Sequence, residues 1–134
     1  MNDLVPVENF IMNKNEAKRN QILYGKAKAN DAERFSSLSL DNLVKLANEK
    51  FIDPEEAQND SPTVQEFGEF MVKHPGVTAH GYSICRERDD YRVSLEGIEF
   101  KGEVSIELMS DFVQFCNGAD ELVTEPNHLF AWWD

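Results

Sequence analysis

Residues 77–100 read VTAHGYSICRERDDYRVSLEGIEF, and the reading of this stretch decides the fold class. Its apolar residues recur with a period of two. Tyr82 and Ile84 share one face of a strand over 77–85, and Tyr91, Val93 and Leu95 alternate with Arg92 and Ser94 over 91–95. Between the two runs stand five consecutive charged residues, Arg86-Glu87-Arg88-Asp89-Asp90, which suit a hairpin turn in water. Beyond Gly97 the apolar positions change parity, to Ile98 and Phe100. A β-bulge or a tight Glu96-Gly97 turn must shift the phase there.

Upstream of Gly76 the period is helical. Leu40, Leu43, Val44 and Ala47 recur at i, i+3, i+4 and i+7 behind Ser39 as N-cap, predicting a helix over about 40–51. After the acidic connector 53–60, a further helix opens at Ser61 with Pro62 in its first position, where a missing N–H costs nothing. It buries Val64, Phe67 and Met71, widened by Phe70 and Val72, and ends at His74-Pro75-Gly76. Residues 13–34 are rich in Lys, Ala, Asn, Glu and Gln and predict a helix with a thin apolar stripe and a weak point at Gly25. Leu4, Val5, Val7, Phe10, Ile11 and Met12 are too apolar for a free tail and are expected to dock on the core or on a partner.

Downstream, Ser105 caps a helix in which Ile106, Met109, Phe112, Val113 and Cys116 share a face, with Leu108 and Phe115 beside it and Asn117-Gly118 as a left-handed stop. The end, 121–133, reads strand, turn at Glu125-Pro126-Asn127, strand. The sum is an α+β fold: N-terminal helices followed by an antiparallel sheet of two hairpins with a helix between them. All 134 residues are read as a single domain, 1–75 mainly helical and 76–134 hairpin-helix-hairpin. Scaling surface with mass leaves about two-thirds of it buried on folding, enough for one core without a staple.

The chain holds 25 acidic against 13 basic residues, a net charge of −12. Residues 1–35 carry six basic and five acidic groups; residues 36–134 carry seven and twenty. Such a field repels phosphate backbones and anionic bilayers, so neither direct nucleic-acid nor membrane binding is expected. It attracts basic partners, although solubility alone also accounts for it. Cys85 and Cys116 stand 31 residues apart in apolar runs and read as buried, reduced thiols. With no basic-then-apolar start and no apolar run long enough to span a bilayer, a cytoplasmic setting is expected.

Motifs for catalysis are few: the sequence carries no phosphate-cradling glycine loop, nucleophile elbow or zinc-type cysteine pair. His74 suits a helix cap and His80 a strand face, while His128 beside Glu125 is a candidate base without an evident nucleophile. No catalytic residue, metal or cofactor is therefore assigned. Carboxylates are the abundant functional group, at Glu87, Asp89 and Asp90 in the first turn and at Glu96, Glu99, Glu103 and Glu107 after it. A solvated face and a docking surface for Lys and Arg both explain them. Trp132 and Trp133 are adjacent, so in a strand they face opposite ways. The expectation is that a helix covers the second face and buries both; the alternative makes one an interface anchor.

These readings converge on a small acidic protein-binding module without catalysis that neutralises a basic partner, in the manner of an inhibitor or immunity protein. Glu87, Asp89, Asp90, Glu96, Glu99, Glu103, Glu107, Trp132 and Trp133 form its expected contact set. Two alternatives stand beside it: a small-molecule-binding or enzymatic domain with a pocket between sheet and helices, using His80 or His128, and a homo-oligomeric subunit, such as a homodimer through the terminal hairpin.

Overall fold

The computed structural model describes residues 10–134. Leu4, Val5 and Val7 lie outside them; Phe10 and Met12 are half-buried and Ile11 is exposed. The elements run α1 (Glu16–Tyr24), β1 (Ala32–Leu38), α2 (Leu40–Asn48), α3 (Val64–Lys73), β2 (Thr78–Ile84), β3 (Arg92–Lys101), α4 (Ile106–Phe115), β4 (Glu121–Glu125) and β5 (His128–Trp132). The strands form one antiparallel sheet in the order β1-β2-β3-β5-β4. The fold is α+β, as the periodicities imply.

The predicted helix over 13–34 is corrected. It stops at Tyr24, where Gly25 takes the left-handed conformation (φ 71°) and its N–H returns to the Gln21 carbonyl. Residues 32–38 then form a strand paired with β2, so the first half of the chain contributes the sheet's edge. The disguise is an irregularity between Phe35 and Leu38, with Ser37 at φ 55°. It places two core residues three apart instead of two, a helical spacing in a strand.

Helix α2 starts where expected, capped by the Ser39 hydroxyl, but ends at Asn48 instead of about 51 and buries Leu43, Leu46 and Ala47, with Leu40 and Val44 half-buried. Helix α3 starts two residues later than expected: Thr63, not Ser61, is the N-cap, in a reciprocal capping box with Glu66. Val72 faces water. Helix α4 is rotated from its predicted face, burying Leu108, Phe112 and Cys116 while Ile106 and Val113 are exposed. Its C-cap is Cys116 at φ −96°, so Asn117-Gly118 is no left-handed stop.

All four helices pack on one side of the sheet. Leu43, Leu46, Phe67, Phe70, Met71 and Phe112 meet Phe35, Ala79, Val93, Leu95, Ile98, Leu129 and Ala131 in one core, with Tyr24 of α1 packed edge-on to Phe35. Arg19, part of what reads as a soluble basic face, turns inward: its guanidinium donates to the Ile84 carbonyl (2.9 Å) and to Asn20, and lies 4.8 Å from the centre of the Tyr91 ring. Both cysteines are buried and unpaired, and burial pushes the Cys116 thiol up to about 12. No helix among the described residues is long and apolar enough to cross a membrane.

The phase change at Glu96-Gly97 is a bulge, and β3 runs straight through it. Across from β2, His80 pairs with Gly97 but Gly81 pairs with Leu95, leaving Glu96 as the extra residue. Leu95 and Ile98 thereby both reach the core despite their opposite parity.

The tandem tryptophans separate, correcting the expectation that a helix buries both. Trp133 is 2% exposed and meets Phe67 edge-to-face at 5.6 Å, whereas Trp132 lies half-buried on the sheet face turned away from the helices. Trp133→Ala is expected to cost about 3–5 kcal/mol in urea unfolding. Trp132→Ala, which empties no core site but removes the indole donor to Glu96, should cost less, about 1–2 kcal/mol. Equal losses would contradict this division of faces.

Candidate functional site

The alternation that sends Leu129, Ala131 and Trp133 inward sends His128, Phe130 and Trp132 to the opposite face, where no helix among the described residues covers the sheet. Cross-strand register brings Gly97 beside Trp132, Glu99 beside Phe130 and Glu121 on the far side of Trp132. From the other edge β1 contributes Arg34, which pairs with Tyr82. Arg34, Ser36, His80, Glu99, Glu121, Phe130 and Trp132 line a groove of about 420 Å3.

Glu96 sits deepest among the acids, 3% exposed. One carboxylate oxygen accepts from the Arg34 guanidinium and the other from the Trp132 indole N–H at 3.2 Å. Two donors, one of them cationic, satisfy a charge that would otherwise be costly to bury. The pair is lopsided: the Arg34 side chain is 71% exposed and that of Glu96 only 4%. Beside it, Glu99 is joined to His128 through Oε2 and Nε2 at 2.7 Å, with Glu125 at 3.9 Å from the other ring nitrogen.

His80 stacks on Phe130 with ring centres 4.8 Å apart and planes nearly parallel, and its Nε2 lies 3.0 Å from the Ala131 carbonyl oxygen. A carbonyl can only accept, so the proton is on Nε2. Gly97 makes the ring's place: a β-carbon there would come within 2.8 Å of two imidazole atoms and 1.9 Å of the Ala131 oxygen. Burial holds the His80 pKa below the ordinary histidine value, against the opposing pull of the Ala131 hydrogen bond and of the Glu99 and Glu96 carboxylates. The groove thus has a neutral aromatic floor of His80, Phe130 and Trp132, with Glu99 in its lining and Glu96 buried behind Arg34 and Trp132.

Of the nine residues expected to meet a partner, the structure gathers three here: Glu96, Glu99 and Trp132. Trp133 is in the core. Glu87, Asp89 and Asp90 are exposed in the β2–β3 turn, where Asp90 is already paired with Arg88 (2.8 Å) and Arg92 (3.3 Å). Glu103 and Glu107 are exposed beyond the other end of β3, a ten-residue strand that separates them from that turn by roughly 30 Å. The acids therefore form no single patch. The groove also lies on the face opposite the helices, not between sheet and helices. Arg34, Phe130 and Glu121 were missing from the sequence-derived set. The alternation His128-Phe130-Trp132 was a signal for Phe130, but Arg34 had none because its strand read as helix.

Elsewhere, donor atoms of Asp31, Cys85 and Glu87 come within 4.8 Å of one another, and His74 Nε2 bridges α3 to Asp111 of α4 at 2.8 Å. The first is a thiol between exposed carboxylates, the second a tie between helices.

Because the folded protein holds His80 neutral below its unfolded pKa, its contribution is fully present above about pH 6.5 and is lost as pH falls through the depressed folded value. Thermal melts between pH 7.5 and 5.5 should show the wild type losing more stability than His80→Gln, and parallel curves would contradict the buried neutral ring. Compared with protein-family models, curated proteins and solved structures, the chain matches none.

Proposed function

We propose that this protein is a binding module whose uncovered sheet face receives a basic segment of a protein partner, with one cationic side chain entering the groove over Trp132. The observation that carries the reading is the convergence of Glu96 and Glu99 with Phe130 and Trp132 on a sheet face that no helix among the described residues covers, in a chain of charge −12. Carboxylates set among aromatic faces hold a guanidinium or ammonium group by charge pairing and by cation–π attraction, each strengthened when the cation is desolvated. A half-buried Trp with a charged rim is the usual composition of an interface centre. The remaining acidic surface raises the association rate without forming the contact. Covering a cationic site on the partner would make the module an inhibitor of the immunity type.

A second reading is favoured by the groove's size. At about 420 Å3 it falls within the range of small-molecule sites, and Glu99 in its lining, backed by His128, suits proton exchange with a small organic cation. Thermal stabilisation by such cations, without affinity for basic peptides, would select this reading.

With a short arginine-rich peptide as probe, the double reversal Glu99→Lys and Glu121→Lys should weaken binding about tenfold or more, mostly through faster dissociation. Reversing Glu87, Asp89 and Asp90 to Lys should slow association and flatten its salt dependence while leaving dissociation near wild type. The opposite pattern, with dissociation governed by the turn, would move the interface to the β2–β3 hairpin.

A further inference from the structure

We propose that Arg34 is an internal stand-in for the partner's cation, and that the module selects an arginine whose guanidinium displaces Arg34 from Glu96. The inference rests on the binding reading above and adds to it the chemical identity of the group recognised and the residue that gates its entry.

The asymmetry of the Arg34–Glu96 pair carries it. The carboxylate is fixed: it belongs to the bulge residue of a central strand, is 3% exposed, and has its second oxygen tied to the Trp132 indole. A carboxylate so placed needs a cation at all times, since leaving it unpaired carries the full cost of burying a charge. The guanidinium is the opposite case. It reaches in from β1 with 71% of its side chain in water, and its one side-chain partner among the described residues is Glu96. Arg34 can therefore swing out with little loss of its own, provided another cation takes its place. What it vacates is a position on a Glu96 carboxylate oxygen, at the side of the groove that Arg34 shares with Trp132 and the stacked His80–Phe130 pair.

That position favours arginine over lysine. A planar guanidinium can lie against an aromatic face while donating in its plane to Glu96, and it desolvates more easily than an ammonium. Arg34 already presents a guanidinium to that carboxylate oxygen. Self-occupancy also sets the affinity. If Arg34 holds Glu96 for roughly nine-tenths of the time, an external guanidinium binds about tenfold more weakly than the bare site would allow.

The test is a titration of 15N-labelled protein with argininamide and, separately, lysinamide, following the Trp132 indole N–H and the Arg34 side-chain Nε–H resonances. In wild type, argininamide should shift the indole signal and release Arg34, whose Nε–H signal collapses toward its solvent-averaged position. Arg34→Ala should bind argininamide about tenfold more tightly, Arg34→Lys should fall between, and Glu96→Gln should not bind it. Equal or weaker binding by both Arg34 variants, or binding that leaves the Arg34 signal unchanged, would overturn the proposal. Should Arg34→Ala fail to fold, Arg34→Lys and the wild-type Arg34 signal still decide it. If lysinamide binds as well as argininamide and Arg34 stays in place, the displacement proposal falls, while the cation-binding reading of the groove stands. If neither compound nor an arginine-rich peptide shifts any groove resonance in any variant, the binding reading itself fails.

Discussion

The close approach of Gly97 in β3 to the His80 ring and the Ala131 carbonyl on either side of it governs the rest of the structure. No side chain fits at 97, because a β-carbon would stand 1.9 Å from a backbone oxygen. The missing side chain lets the imidazole of His80 lie flat across β3 to its hydrogen bond with Ala131 and its stack on Phe130. The same residue closes the bulge that carries Glu96. One position thus joins three strands and sets the phase of the longest.

That phase decides which chemistry reaches which face. Without the bulge, strict alternation would send either Leu95 or Ile98 away from the helices. With it, both enter the core, while Glu96 and Glu99 both emerge on the open side. Helices α2, α3 and α4 can then meet the sheet through apolar side chains, while α1 adds the Tyr24–Ser83 and Arg19–Ile84 hydrogen bonds, and the opposite face pairs Glu96 with Arg34 and Trp132, Glu99 with His128, and Tyr82 with Arg92 and Gln58. Such a face is stable in water and still able to exchange one partner for another, which a purely apolar face is not.

Much of this was legible in the sequence. Helices α2, α3 and α4, both hairpins and the phase shift at Gly97 follow from periodicity, caps and glycine alone. What was not legible traces to two irregularities. The Ser36–Ser37 distortion gave β1 a helical spacing and hid the strand that delivers Arg34, so the cation opposite Glu96 was invisible. Helix α4 showed apolar residues on more of its circumference than it buries, and only packing against Phe67 and Phe70 selects Phe112 and Phe115 over Ile106 and Val113. The tryptophan pair lay between these cases: opposite faces follow from strand geometry, but which face a helix covers is a tertiary fact. The acidic residues misled through sequence proximity, since Glu87 and Glu107 are near in order and lie beyond opposite ends of a long strand.

Contact between a partner and the sheet face that no described helix covers is tested most directly by a map of backbone amide shifts as an arginine-rich peptide is added to the labelled protein. The largest changes are expected on Gly81, Gly97, Glu99, Phe130 and Trp132, with the outer surfaces of α2, α3 and α4 silent. Changes centred on those helices or on the 86–90 turn, with the sheet face unmoved, would contradict that contact.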